Sequence, residues 1–215
     1  IPMSARNSDR FNRPGESARM GMDLTFPDTA RLKDAKGEVF LTLTDGKTGE
    51  VLEERHVPNV ITLDAGVLAA ILFSAPTSRN GANMLAVGTG ATGALLSPDA
   101  PSTSQRKLNA EIERKVWASS TYRDASGNAV AIPTNIIDWT VTYDEAEAVG
   151  PLNEMAILST ISSNPLVKND NPDTYPTRDV TRDLTLYDIA VNYLTFSVIS
   201  KPATARLSIT WRITF

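Results

Sequence analysis

Alternating apolar and polar residues predict β-strands in two parts of the chain. Residues 39–57 hold two alternating runs on either side of the turn sequence GKTG, and this pattern predicts a β-hairpin. A second hairpin is predicted near the end of the sequence, where residues 191–200 and 207–215 flank turn residues at 201–204. Its last strand places five large apolar side chains on one face: Leu207, Ile209, Trp211, Ile213 and Phe215.

Shorter apolar or alternating runs predict four more strands, at residues 84–87, 112–122, 137–143 and 154–158. Two long polar connections follow the first and the last of these strands, at residues 88–104 and 162–178. Both are rich in Gly, Pro, Ser, Thr or Asn, which favours ordered surface loops of the kind that contact partners.

One segment has the character of a helix. Residues 59–73 contain Thr62 as a capping residue and Asp64 in the first turn, followed by an apolar run. The run over residues 63–73 is too short to span a membrane. We expect four of its side chains to face the core: Leu63, Val67, Ile71 and Leu72.

Many short strands and one short helix predict a mainly β fold, an antiparallel β-sandwich with a jelly-roll-like topology. Residues 26–215 are expected to form this single domain. Residues 1–25 are expected to form an extended N-terminal arm, because they contain four arginines and few spaced apolar residues. We expect a neighbouring subunit to hold the arm in place.

Composition excludes several classes of function. The net charge of −4 gives no general attraction to nucleic acid or to anionic lipid. The absence of cysteine excludes disulfides, thiolate metal sites and cysteine nucleophiles. Four arginines in the arm are compatible with contact to DNA, but tethering between subunits is the preferred interpretation of the arm: Arg6, Arg10, Arg13 and Arg19.

The sequence GTGATG at residues 88–93 matches the glycine pattern of a dinucleotide site, with Glu111 and Glu113 downstream. Such a site requires a helix after the glycines, and Pro98 and Pro101 prevent one. We therefore expect the glycines to serve a tight loop, and we expect no cofactor.

Other reactive side chains are isolated or solvated in the predicted fold. His56, the only histidine, lies on a hairpin strand without a second ligand or a triad partner. The sequence NDNPD at residues 169–173 is compatible with calcium, although an Asx-turn loop is the preferred interpretation. We interpret a carboxylate cluster as an acidic edge, and we assign no catalytic, cofactor-binding or metal-ligating residue: Asp144, Glu145, Glu147 and Glu154.

Four short sequence words occur in a recognisable order: NVI at residues 59–61, MLAVGTG at 84–90, LNAEIER at 108–114 and NEMAIL at 153–158. With the closing words SKP at 200–202 and LSITW at 207–211, this order resembles a diffuse family of phage virion proteins of tail or tail-fibre-like type. The resemblance covers residues 55–215, whereas residues 1–54 match nothing in that family. It implies a part of a virus particle and supplies no catalytic residues.

We therefore expect a non-catalytic virion protein of a bacteriophage tail, collar or fibre-attachment assembly, which self-associates through its arm and loops. The expected partners are other copies of the chain and neighbouring virion proteins, without a membrane, nucleic acid or small-molecule ligand. One alternative is a capsid cement or decoration protein. Another is a carbohydrate-binding module of a host-recognition fibre, which would require exposed aromatic side chains among four candidates: Trp117, Tyr122, Trp139 and Tyr175.

Overall fold

The computed structural model describes residues 35–74, 79–173 and 183–215, and confirms the mainly β, antiparallel fold with one α-helix in these ranges. The predicted arm, residues 1–25, lies outside the described residues. The strands are β1 (Lys36–Asp45), β2 (Val51–Ile61), β3 (Met84–Gly88), β4 (Gly93–Ala94), β5 (Ser97–Pro98), β6 (Glu111–Val116), β7 (Ser119–Arg123), β8 (Ala129–Val130), β9 (Ile136–Tyr143), β10 (Gly150–Ser159), β11 (Ile189–Lys201) and β12 (Ala205–Thr214). The helices are α1 (Leu63–Ser74) and a 3-10 helix (Leu184–Leu186).

Ten strands form one antiparallel sheet in the order β6-β3-β10-β11-β2-β1-β12-β9-β7-β8, and β4 pairs with β5 separately. The sheet folds over at β2. The first part of β2 pairs with β1 from Thr44↔Val51 to Gly37↔Asn59, while its last two residues pair with β11. The fold produces two layers: β2, β1, β12, β9, β7 and β8 form the first, and β6, β3, β10 and β11 form the second.

The two layers meet at an apolar core that follows the predicted alternation. Val39, Ile209 and Trp211 of the first layer belong to the same buried cluster as Met155 and Leu194 of the second. Alternate residues of a strand point to one side, and β1, β9 and β12 contribute every second side chain to this core. The result is a β-sandwich whose first layer is polar on its outer side.

The predicted C-terminal hairpin is wrong, although both of its strands exist. In the sheet, β11 lies between β10 and β2, whereas β12 lies between β1 and β9. A hairpin requires both strands in one layer, but Leu194 of β11 and Leu207 of β12 belong to the shared core from opposite layers. The connection between β11 and β12 therefore crosses the sandwich, and the buried Lys201 Nζ donates hydrogen bonds to the carbonyls of Asp144 and Ala205 at 2.8 Å each.

The predicted strand over residues 112–122 is divided between the layers as β6 and β7. The division occurs at Trp117, whose ring stacks on Trp139 with a centroid distance of 5.4 Å. Its Nε1 donates to the carbonyl of Ala82 at 3.2 Å, and the next amide, Ala118 N, donates to the carbonyl of Thr140 at 2.8 Å. The chain thus passes from the second layer to the first without a turn sequence.

Helix α1 begins after Thr62, whose Oγ1 accepts from the amide of Ala65 at 3.2 Å, as expected for a capping residue. The predicted core face is wrong for three side chains and correct for Ile71, which packs against β11 residues. Asp64 is buried in an ion pair with Arg106, and this contact turns the helix about its axis. The three exposed side chains are Leu63, Val67 and Leu72.

Helix α1 and the connections at residues 89–110 and 160–173 cover the outer side of the second layer. Beneath the first connection, Leu108 packs with Ala156 and Tyr193 in a second buried cluster. A third cluster joins Leu68 of α1 to Leu184 and neighbouring residues of β11. Within the described ranges, no helix has the length and apolar character needed to cross a membrane.

Candidate interaction surface

A single buried carboxylate fastens the loop over residues 89–110 to the sheet. Glu154 of β10 is completely buried. Its Oε1 accepts from the amides of Gly90 at 3.0 Å and Ala110 at 2.8 Å, and its Oε2 accepts from the amide of Asn109 at 3.0 Å and from the hydroxyl of Tyr193 at 2.8 Å. Burial and the Glu154 charge raise the pKa of Tyr193 far above its ordinary value. The carboxylate thus holds both ends of the loop.

The glycine sequence at residues 88–93 serves this junction, as the loop interpretation predicted. A Cβ on Gly88 would lie 2.5 Å from the carbonyl oxygen of Ala110, and a Cβ on Gly90 would lie 2.4 Å from the amide nitrogen of Ala110. Asn153 Oδ1 accepts from the amide of Ala91 at 3.1 Å. No α-helix follows these glycines within residues 79–173, where β4 begins at Gly93. The close backbone approach requires glycine for steric reasons.

The β4–β5 hairpin presents two exposed leucines at a fixed position. Val198 N of β11 donates to the carbonyl of Leu95 at 2.8 Å, and Thr195 Oγ1 donates to the carbonyl of Asp99 at 2.7 Å. These bonds hold the hairpin on β11, yet 61% of Leu95 and 79% of Leu96 is exposed. The leucine pair is therefore apolar, solvent-exposed and held on the sheet.

A buried arginine joins this loop to its neighbours. Arg106 Nε lies 2.9 Å from Asp64 Oδ2 of α1, and Arg106 Nη1 lies 3.1 Å from Asp173 Oδ2. All three side chains are at least nine-tenths buried. Charges in such surroundings require partners, so this triad fixes the loop, the helix and residues near 173 relative to one another.

A second buried arginine fastens the connection at residues 160–173. Arg114 of β6 forms ion pairs with Glu111, Asp170 and Asp188 at 2.7, 2.7 and 2.5 Å. Asp188 also accepts from the amides of Ile161 at 3.0 Å and Asn169 at 3.1 Å. Burial alone would lower the pKa of Arg114, but its hydrogen bonds and its attraction to the carboxylates raise it. The connection is thus tied to β6 and to the start of β11.

The connections at residues 89–110 and 160–173 together form what we call the loop surface. Its apolar positions lie on a framework of buried polar contacts. Besides the leucine pair, Leu166 is exposed, as is Leu186 of the adjoining 3-10 helix. The loop surface covers most of the two connections that the sequence marks as contact segments, although residues 174–178 lie outside the described ranges.

The candidate calcium ligands have protein partners in the structure. Asp170 and Asp173 pair with Arg114 and Arg106, and Asn171 Oδ1 accepts from the amide of Asp173 at 2.9 Å. In the part of the chain that the structure describes, no group of three or more acidic or histidine side chains converges as a metal site.

The carboxylate cluster of the sequence is divided in the structure. Asp144, Glu145 and Glu147 lie at the β9–β10 turn, whereas Glu154 lies in the loop junction. Glu147 Oε2 pairs with Lys115 at 2.6 Å, and Glu145 Oε2 pairs with Arg206 at 3.0 Å. The hydrogen bond from Lys115 lowers the pKa of Glu147, despite an opposing effect of burial. The turn is an ion-paired acidic edge, as its sequence predicts.

His56 lies on the outer side of the first layer, away from these groups. Its ring stacks on Phe40 with a centroid distance of 4.5 Å, and its Nε2 lies 3.7 Å from Glu38 Oε1. More than half of the His56 side chain is exposed. This position agrees with the prediction of a solvated strand residue.

The candidate carbohydrate-binding aromatics are mostly held against the core. Trp139 is 9% exposed, and Trp117 stacks on it. Tyr122 of β7 is half-buried, and Tyr175 lies outside the described residues. The three described candidates therefore do not form the exposed aromatic face that recognition of a sugar ring would require.

Comparison with protein-family models finds no matching family, and comparison with curated proteins finds no matching protein. A functional interpretation therefore depends on the geometry of the loop surface and on the resemblance in the sequence.

Proposed function

We propose that this protein is a non-catalytic structural subunit of a bacteriophage particle, part of a tail, collar or fibre-attachment assembly. In this proposal it associates with copies of itself and with neighbouring virion proteins through the loop surface. The observation that carries the proposal is the pair Leu95–Leu96, which is largely exposed on a hairpin fastened to β11.

The energetics of this pair favour a protein contact. Complete burial of a leucine side chain contributes about 1.5–3 kcal/mol, so two leucines are a substantial anchor for an interface. The hydrogen bonds from Val198 and Thr195 hold the hairpin before any partner binds. Association then loses little conformational entropy at this position, which increases the net gain from burial.

The position of the resemblance words also supports a structural role. Gly90, Asn109 and Glu154 belong to three of the four words, and these residues meet at the loop junction. The shared sequence features therefore coincide with the framework that positions the loop surface. This agreement is what a family of assembly proteins with a common scaffold would produce.

The first test measures self-association of the full chain by sedimentation velocity over a range of concentrations. Leu95→Asp combined with Leu96→Asp should weaken association at least about tenfold, equivalent to about 1.4 kcal/mol. Ile132→Asp is the matched control, since Ile132 is 76% exposed in the connection between β8 and β9. Equal weakening by both variants would contradict a specific role for the leucine pair.

The second test mixes the purified protein with tailless phage heads and with isolated tails, and examines both by electron microscopy. Binding to tails or necks would support the proposed location. Regular decoration of heads would overturn it in favour of a cement protein. Binding to neither, together with a monomer in solution, would overturn the structural role and direct attention to carbohydrate binding.

A further inference from the structure

An open strand edge lies where the described chain begins. Pairing between β1 and β2 ends at Gly37↔Asn59, so among the described residues Val60 and Ile61 pair only with β11. A cavity of about 390 Å³ occupies this place. Its lining includes Ala35, Asn59, Val60, Leu63, Gly66 and Thr103. The cavity thus lies between Ala35, the first described residue, and the beginning of α1.

The exposed side of α1 continues from this cavity as an apolar stripe without a charged residue. Positions three or four apart share one side of a helix, and five such positions are exposed on α1. A helix that is apolar on all sides is typical of one that is covered on all sides. We call these positions the α1 stripe: Leu63, Gly66, Val67, Ala70 and Phe73.

A buried polar atom at the cavity also requires a partner. Asn192 Nδ2 donates to Asn59 Oδ1 at 3.2 Å, which leaves Asn59 Nδ2 buried and without a hydrogen-bond acceptor among the described residues. An unsatisfied buried amide costs about 1–3 kcal/mol. A backbone carbonyl placed in the cavity would satisfy it.

We propose that residues 20–26 of the same chain dock on the α1 stripe, next to the cavity beside β2. The sequence MGMDLTF at residues 20–26 alternates strictly, with four apolar side chains at every second position. Pro27 favours an extended conformation at the preceding residue. Such a segment has one apolar face, the complement of an apolar stripe: Met20, Met22, Leu24 and Phe26.

The length of the chain and its starting point favour docking within one molecule. Ala35 already lines the cavity at one end of the stripe. The chain from Phe26 to Ala35 extends up to about 30 Å, whereas α1 is only about 18 Å long. A short tether keeps the segment at an effective concentration of about millimolar, which another molecule matches only at high protein concentration. This inference does not depend on the phage proposal.

A cysteine scan in the full chain tests the docking, because the natural sequence contains no cysteine that would interfere. Val67→Cys is combined with one cysteine at each position from 22 to 26. The pairs are oxidised at low protein concentration, and linked peptides are measured by mass spectrometry. A disulfide bridges Cα atoms only within about 7 Å, so the highest yield is expected at one of Met22, Leu24 and Phe26, several-fold above the yields at Asp23 and Thr25.

The same scan against Ile132→Cys is the matched control, and it should give low yields at all five positions. Urea unfolding of each reduced variant verifies that the parent fold is kept. Mixing ¹⁵N-labelled and unlabelled protein before oxidation separates links within a molecule from links between molecules. Yields without alternation would overturn docking. In a 1:1 mixture, mixed-isotope links at about half of the total, the share that random pairing between molecules gives, would overturn the same-chain assignment in favour of arm exchange between copies.

Discussion

Replacement of Glu154 by alanine removes the acceptor of four hydrogen bonds in a completely buried place. A hydrogen bond to a charged group contributes about 1.5–3 kcal/mol net, so simple addition over four bonds would give roughly 6–12 kcal/mol. A cavity of about 430 Å³ adjoins Asn109 and Tyr193 and gives water access to freed donors. We therefore expect a loss of about 4 kcal/mol, near the upper limit of single substitutions.

Glu154→Gln separates the contribution of the two oxygens. The amide oxygen can still accept from Gly90 and Ala110, and the amide NH₂ can donate to the hydroxyl of Tyr193. Only the backbone amide of Asn109 loses its acceptor, because the new NH₂ group is itself a donor. The expected loss of unfolding free energy is therefore about 2 kcal/mol. Tyr193→Phe removes one bond and leaves three, and should cost about 1 kcal/mol.

The assay is urea unfolding of the full chain, followed by tryptophan fluorescence. With an m-value of about 2 kcal/mol per molar urea, Glu154→Ala should lower the midpoint by about 2 M and Glu154→Gln by about 1 M. If the alanine variant lost less than about 1 kcal/mol of unfolding free energy with an unchanged m-value, the reasoning would be refuted, because four unsatisfied hydrogen-bonding groups should destabilise the fold by more than this.

Four further substitutions test other parts of the structure by the same assay. Gly88→Ala should destabilise by more than about 2 kcal/mol because its Cβ meets backbone, whereas Gly81→Ala, at an exposed position with open space, should change stability by less than about 0.5 kcal/mol; equal effects would contradict the steric argument. Arg106→Met leaves two buried carboxylates without this guanidinium and should cost about 3–5 kcal/mol, and a neutral result would show that the triad is not structural. Burial acts to raise the pKa of Asp138, but hydrogen bonds from arginines outweigh burial and hold this pKa below the ordinary value of 3.8. The ionised carboxylate therefore stabilises the folded protein above pH 3.8. This stabilisation is lost as the pH falls through the lowered pKa. Asp138→Asn should flatten the stability profile below this pH, and an unchanged acid slope would exclude the contribution.

Alternation in the sequence predicted strands and their buried faces well, because it reports which side of a strand meets the core. Alternation did not predict which strands lie next to one another in the sheet. The last strand alternates as expected, yet it pairs with β1 and β9, since two strands from opposite layers show the same alternation as two strands of a hairpin. The break at Trp117 was missed because crossing between layers there requires no turn residues.

The loops of the candidate surface were predicted from composition, but the residues that hold them were not. Glu154 was grouped with carboxylates only seven to ten positions away in sequence, whereas its hydrogen-bond partners lie near residues 90 and 110. Asp64 has a typical position for the first turn of a helix, so its burial against Arg106 had no local signal. Hydrophobic periodicity carries no information about contacts between charged residues that are distant in sequence.

The central place of β12 has a consequence for synthesis on the ribosome. Lys36 of β1 pairs with Thr214 of β12. One edge of β1, the first described strand, therefore stays unpaired until the last strand has been synthesised. Throughout translation of the intervening residues, β1 and β9 keep open edges that other nascent chains can join. Fast completion of the chain, or chaperones that shield these edges until β12 emerges, would therefore limit such pairing.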